Sequence, residues 1–381
     1  MKEILKSVET YLSNITNSKN IYLDYNAMSL VRPEILSVVQ DMFSLYGNPF
    51  AAHFHGREMK SILNLCKENL AECIDCSPNE IYFTSGASEA NNIAILGMKN
   101  HVTQYIFGAT EHESVLNTIH DHKTVQIING EVDLNQLENL LKNSSVSFVS
   151  IMVANNETGI ITKNIKEAIN LTHKYNGIFH TDGVQSIGKM DISFRKMEFD
   201  MMSVSSLKSG GIIGVGALIK SSKIQNCSSL MFGKMENSLK PGTPAVPLII
   251  GFERSVAIAR ENLPIESKKY TEMREKFETI LKSNGAIILG ENTERIPNTT
   301  YCIMPEIDQS EQVMMFDMRG ISVSAGSACY KTRYFCENFM KSVCVNEQTY
   351  RSGVRFSMGF CTKLEELITA ADLWKEIKNS I

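Results

Sequence analysis

Residues 178–208 read IFHTDGVQSIGKMDISFRKMEFDMMSVSSLK, and two runs inside that stretch, Ile178–Thr181 and Met201–Val204, decide the architecture. Each has the length and apolar character of a buried strand, and each leads into a residue able to do chemistry, Asp182 after the first and Lys208 after the second. Similar runs lie upstream at Ile81–Thr84, Tyr105–Phe107, Val125–Ile128 and Val146–Val153. Helical stretches separate them at Ser88–Met98, Ser114–His120, Leu134–Leu141 and Ile165–Tyr175. Strands that return through helical crossovers make a mostly parallel sheet flanked by helices on both faces, with its ligand at the carboxyl ends of the strands. The run Gly214–Ile219 follows Met201–Val204 through a short connection and is expected to be antiparallel.

Beyond Val246 the pattern turns helical through Val246–Asn262 and the charged stretch Glu266–Ser283. Short strands at Ala286–Leu289 and Thr299–Met304 and an amphipathic run at Leu364–Lys378 follow. The fold class expected is therefore α/β: a large domain over residues 25–261 and a smaller α+β domain made of residues 1–24 with 262–381. The 381 residues carry 38 Lys+Arg against 42 Asp+Glu, a net charge of −4, which gives no basic surface for DNA. A 43% apolar and 21% charged composition excludes a disordered chain, and no run is long and apolar enough for a membrane span. Lys2, Glu3, Lys6 and Glu9 interrupt any signal-peptide apolar core, so the cytoplasm is the expected location. The nine cysteines are an odd number in a chain large enough to fold without staples, which reads as reduced thiols.

A carboxylate and an amine on neighbouring strand ends suit two positions of one bound ring, a protonated pyridine nitrogen and an aldehyde carbon. That is what pyridoxal phosphate requires, although solvated loop charge is the plain alternative for Asp182 and Lys208 taken alone. Thr84-Ser-Gly-Ala-Ser-Glu89 is a small-residue turn from strand to helix, with Ser88 placed as N-cap, and it forms a cradle for an anion. His112, at another strand-to-helix junction, can stack on a planar ring or simply face solvent. Arg355, in the apolar run Val354–Met358, calls for an anionic partner, either a substrate carboxylate or a structural ion pair. Cys329 sits in Val323-Ser-Ala-Gly-Ser-Ala-Cys-Tyr330, too poor in bulk to pack as core, so its thiol is expected on an exposed loop, whereas Cys302 lies in the apolar run Tyr301–Met304 and is expected to be buried and inert.

Other motifs carry less. Cys73-Ile-Asp-Cys76 lacks a second pair and a spaced His, so no metal site is expected. Ser205-Ser-Leu-Lys208 follows a strand instead of opening a helix, unlike the nucleophile motif it matches. Gly211-Ile-Ile-Gly-Val-Gly216 leads into a strand and reads as a turn beyond the lysine, not a dinucleotide fingerprint.

Five stretches together resemble the cysteine desulfurases, within the class V aminotransferase branch of the fold-type I pyridoxal-phosphate enzymes. They are Ile21-Tyr-Leu-Asp-Tyr-Asn-Ala27, Ile81-Tyr-Phe-Thr-Ser-Gly-Ala-Ser-Glu89, Met152-Val-Ala-Asn-Asn-Glu-Thr-Gly159, His180-Thr-Asp-Gly-Val-Gln-Ser186 and Ser324-Ala-Gly-Ser-Ala-Cys329. The resemblance implies that Lys208 binds the cofactor covalently and moves the substrate's α-proton. It implies that Asp182 pairs with the ring nitrogen, Gln185 with the ring hydroxyl, and that His112 stacks and shuttles protons. Ala87, Ser88 and Ser205 would hold the phosphate, with Thr243 reaching across from a second subunit of a homodimer. Asn156 would contact cofactor and substrate, and Arg355 the substrate's α-carboxylate. Cys329 would take sulfur from L-cysteine as a persulfide, leaving L-alanine, and pass it to an acceptor or an iron–sulfur scaffold protein for cluster assembly or tRNA thiolation.

The chain departs from that pattern at several places. Leu207 stands where the family has a His before the lysine, which removes one phosphate donor and predicts weaker cofactor retention. Ala27-Met-Ser-Leu30, Gly47-Asn-Pro-Phe-Ala51 and Lys240-Pro-Gly-Thr243 also differ from the usual sequences. Two other readings therefore compete: a relative acting on another amino acid, such as a selenocysteine lyase or an aminotransferase, and a cofactor-poor paralogue acting as a binding subunit.

Overall fold

The computed structural model describes residues 20–233, 239–325, 343, 349 and 351–380. Its central sheet contains β1 Ile81–Thr84, β2 Gln104–Gly108, β3 Lys123–Val125, β4 Ser147–Ser150, β5 Ile178–Asp182, β6 Met201–Ser205 and β7 Gly216–Lys220, in the spatial order β1-β7-β6-β5-β4-β2-β3. All pairs from β6 to β3 are parallel. β7 runs antiparallel to both neighbours, as its short connection to β6 requires. That connection turns through Gly210 and Gly214, both in the left-handed region at φ 83° and 91°, where a side chain would be strained.

The sheet is sandwiched. Helices Ala87–Gly97, Leu134–Lys142 and Ile165–Lys174 supply crossovers, and strand residues such as Phe148, Phe179, Met202 and Ala217 are fully buried. The expected strand Val125–Ile128 is two elements. β3 ends at Val125, and Ile127–Ile128 pairs with Glu131–Val132 around Asn129 and Gly130, whose positive φ values of 49° and 81° suit a tight hairpin turn. The expected helix Ser114–His120 shortens to Glu113–Leu116.

The two expected helical stretches after Val246 are one helix, Val246–Ser283, with Pro264 inside it. A proline in a helix interior removes one backbone hydrogen bond and crowds the preceding turn. Here packing at both ends offsets that cost. Val246, Ile249, Phe252 and Val256 join the core beneath the central sheet, while Tyr270, Met273, Phe277 and Leu281 join a second core. The second core lies under an antiparallel sheet of Ile287–Ile288, Thr299–Ile303 and Gly353–Ser357 and includes Trp374 of the terminal helix Leu364–Asn379. Ile21–Tyr22 pairs in parallel with Ile321–Ser322, so the described segment at this end of the chain packs on this side. None of the described helices is long and apolar enough to cross a membrane.

Candidate functional site

The site lies where β5 and β6 end. Asp182 is the last residue of β5 and sits opposite Ser203 of β6. Lys208 closes the 3-10 turn Ser206–Lys208 that follows β6. Both line one cleft with Ser85–Glu89, His112, Asn156, Gln185, Ser205 and Leu207. Asp182 is buried, and its two oxygens accept from the Val184 N–H at 3.0 Å and from Asn91 Nδ2 at 2.9 Å. Burial holds the Lys208 amine below its ordinary pKa; Arg355 acts in the same direction, and Asp182, Glu157 and Asp24 oppose it. A lysine so placed holds more of the neutral, nucleophilic amine at neutral pH than one in water.

Helix Ala87–Gly97 starts at the cleft. Its cap is not Ser88: Gly86 is the N-cap and Ala87 the first helical residue, because the Thr84 hydroxyl donates to the Gly86 carbonyl at 2.9 Å and fixes the turn two residues earlier. Ser88 therefore stands inside the first turn and lines the cleft. The first N–H groups of a helix have no partners within it, so this turn offers donors to an anion. Glu89 closes the rim by accepting from the Ser85 N–H at 2.6 Å and pairing with Lys240.

The remaining expected residues divide into two groups. His112, Gln185, Asn156 and Ser205 line the cleft with Asp182 and Lys208. Burial lowers the His112 pKa, with Asp182 opposing and Lys208 reinforcing the effect. Gln185 is buried, donates to the Asn26 carbonyl at 3.1 Å and accepts from Lys189. Arg355 and Thr243 do not line this cleft. The guanidinium of Arg355 meets Asp24 at 2.6 Å, the Asn156 carbonyl at 2.9 Å and Glu157 at 3.4 Å, so the anion it calls for is supplied here by the chain itself. Thr243 lines an adjoining cavity of about 890 Å³ with Lys67, Tyr82 and Lys240, which shares Ser85 and Gly214 with the first. Cys329 lies outside the described residues. The chain that carries it leaves from beside Arg355, since Ser324 and Arg355 exchange both backbone hydrogen bonds. Cys302 is fully buried, and burial raises its thiol pKa, as suits an inert core cysteine.

Four residues the sequence did not single out complete the setting. Asn26 donates to the Asn156 carbonyl and to Thr299 Oγ1, and its own oxygen accepts from Lys189 at 2.9 Å and Asn298 at 3.1 Å. Lys189 is buried among Asn26 and Gln185, and desolvation lowers its pKa strongly. Glu111, fully buried, accepts from the Met152 N–H at 2.5 Å and from Ser150 at 3.2 Å; burial and the nearby Asp182 raise its pKa well above the carboxylate range. Asn91 bridges Asp182 and Ser114. Asn26 and Lys189 lay within quoted stretches, where their neighbours gave no sign of a hydrogen-bond hub. A run of contacts hundreds of residues apart has no local periodicity to reveal it.

The family model "Aminotransferase class-V" matches residues 21–369. The chain is 31% identical to the cysteine desulfurase IscS of Edwardsiella ictaluri over 93% of this chain and 91% of that one. It is 29% identical to the IscS of Dictyoglomus turgidum over 94% of each. Among solved structures it superposes on a NifS-like protein from Rickettsia africae with a TM-score of 0.87 at 30% identity, covering 94% of this chain and 99% of that one. A structure described as SspA in complex with cysteine gives a TM-score of 0.74 at 26% identity, covering 89% and 98%.

Proposed function

We infer the activity from one premise: the chain belongs to the class V aminotransferases, and within them its full-length relatives are cysteine desulfurases. The chain is an enzyme of that kind, and its proposed reaction is conversion of L-cysteine to L-alanine with transfer of the sulfur to Cys329 as a persulfide. The observation that carries the reading is the meeting of Asp182, Lys208, His112 and the helix-capping turn Ser85–Ser88 in one cleft at the carboxyl end of a parallel sheet. Those donors fit pyridoxal phosphate. The amine of Lys208 is held below its ordinary pKa by burial, a buried carboxylate sits on the next strand, and the small-residue turn at the helix start can receive a phosphate.

The cofactor, when bound, supplies an electron sink that acidifies the α-carbon of an attached amino acid and lets the β-sulfur leave. The chain's residues do the rest. Lys208 would hold the cofactor and then carry the α-proton; Asp182 would keep its negative charge against the ring nitrogen, held by the Val184 N–H and Asn91. Gln185 would reach the ring hydroxyl, while Ala87, Ser88 and Ser205 would bind phosphate, joined by Thr243 of a second copy in a homodimer. Asn156 and Arg355 would orient the substrate. The Asp24 and Glu157 contacts of Arg355 then act as internal stand-ins for the substrate carboxylate, which takes over part of that ion pairing on binding. Cys329 would attack the sulfur of bound cysteine; that sulfur leaves carbon, an S–S bond forms, and the carbon is protonated to give alanine.

L-cysteine as substrate is supported by the cysteine-bound relative of like fold. A sulfur-acceptor protein, a cytoplasmic setting and a division between lobes near residue 262, within the long helix, complete the proposal. The test is incubation of the cofactor-loaded protein with L-cysteine. Alanine in step with added cysteine, and a one-sulfur adduct on Cys329 that is absent after Cys329→Ser, are expected. Pyruvate without alanine, or an adduct spread over the other cysteines, would reject it.

A further inference from the structure

We propose that Ser114 and Asn91 are positioning residues that hold His112 as the neutral ring with its proton on Nε2, the nitrogen left for the cleft. The backbone N–H of Ser114 lies 3.1 Å from His112 Nδ1 and can only donate, so Nδ1 is an acceptor and carries no proton. The Ser114 hydroxyl is 2.8 Å from the same nitrogen. It also lies 2.9 Å from Asn91 Nδ2, and that nitrogen lies 2.9 Å from Asp182 Oδ2. The carboxylate fixes which way the amide points, since turning it would set two oxygens against each other. Asn91 Nδ2 therefore donates to both neighbours, the Ser114 oxygen receives, and its hydrogen is left for Nδ1.

The arrangement separates two charges that would otherwise merge. Asp182, Lys208 and Glu113 face the ring, and the two carboxylates favour an imidazolium. A hydroxyl and a backbone N–H both donating to Nδ1 favour the neutral ring instead. The bridge from Asp182 runs through an amide, which donates hydrogen bonds without relaying protons. His112 thus offers an Nε2–H to the cleft while Asp182 keeps its charge for a cationic partner.

The functional meaning rests on the cofactor reading above, but the tautomer does not. The experiment is NMR of the full chain with 15N-labelled histidine, before and after loading with pyridoxal phosphate, the His112 signal being assigned through His112→Asn. The wild type is expected to show an unprotonated Nδ1 and a protonated Nε2. Ser114→Ala is expected to raise the His112 pKa by roughly 0.5 to 1, the worth of one net hydrogen bond, and Ser114→Thr to restore it. A protonated Nδ1 in the wild type, or a pKa that stays or falls in Ser114→Ala, would overturn the proposal. Failure of the cofactor reading shows differently, as a loaded protein with no cofactor on Lys208 while His112 titrates as described.

Discussion

At the scale of single residues, the informative position is the one where the chain departs from its family. Leu207 lines the cleft and has no polar atom to offer, so Leu207→His should add a donor worth roughly 1.5–3 kcal/mol to the phosphate, tightening cofactor binding about ten- to a hundredfold. Equilibrium dialysis of the two proteins measures it, and equal affinities would place the phosphate elsewhere. Glu111 makes a second test. Burial raises its pKa and so favours the protonated form, and an amide can keep the Met152 contact through its oxygen and donate to the Ser150 hydroxyl through its nitrogen. Glu111→Gln should leave the urea midpoint near that of the wild type, whereas Glu111→Ala leaves the Met152 N–H unpaired and should cost about 1–3 kcal/mol. Asp182 and Lys208 were legible in sequence because a strand end is a local feature that leaves its mark within a few residues. Ser88 was misread as the cap because Ser is the stronger cap former, whereas Thr84 settles the matter by bonding to Gly86. Asn91 could not be found that way: it sits in mid-helix, and its two partners come from other elements.

Elements were legible where hydrophobic period and length agreed, as in β4 to β7. They were misjudged where a local breaker was outweighed by distant packing. The sequence reading left Val246–Asn262 and Glu266–Ser283 as separate stretches, a break that the two cores gripping Val246–Ser283 do not permit. In the far half of that helix Glu278 meets Arg295 through two bonds of 2.8 and 2.9 Å and accepts from Thr300 at 2.8 Å, all three residues being buried. Removing one partner strands the other's charge, so Glu278→Ala should destabilise by about 3–5 kcal/mol in urea unfolding; a loss under 1 kcal/mol would mean water reaches the pair. Helix Ile165–Lys174 is tied to β6 by His173, whose Nε2 is 2.8 Å from Asp200 Oδ2; that hydrogen bond raises the His173 pKa. A raised folded pKa gives stability that is complete below the unfolded value of about 6.5 and is lost as pH rises through the folded value. The urea-midpoint gap between wild type and His173→Gln should therefore close with rising pH across that window. A gap that widens instead would show that the ring is held neutral.

At the scale of the molecule, the central sheet and the smaller antiparallel sheet are joined by contacts that also set the site. Arg32 bonds Glu266 of the long helix at 2.7 and 2.8 Å, and its backbone N–H donates to the Gly210 carbonyl at 2.9 Å, beside the turn that carries Lys208. Arg355 on strand Gly353–Ser357 reaches back to Asp24 and Asn156. This inter-sheet wiring was not legible in sequence, since its partners lie hundreds of residues apart, whereas the alternation of strand and helix that builds the central sheet was. Phe43, Tyr46, Phe50 and Phe54 are exposed on one segment, an apolar surface that a homodimer would cover, so light scattering should report twice the chain mass. Lys208, which lines one cleft with Asp182, is the residue proposed to take the cofactor. Borohydride reduction of the protein loaded with pyridoxal phosphate, followed by peptide mass spectrometry, tests it directly. One pyridoxyl group per chain on Lys208 is predicted; a group on the neighbouring buried Lys189, or scattered over exposed lysines, would contradict it.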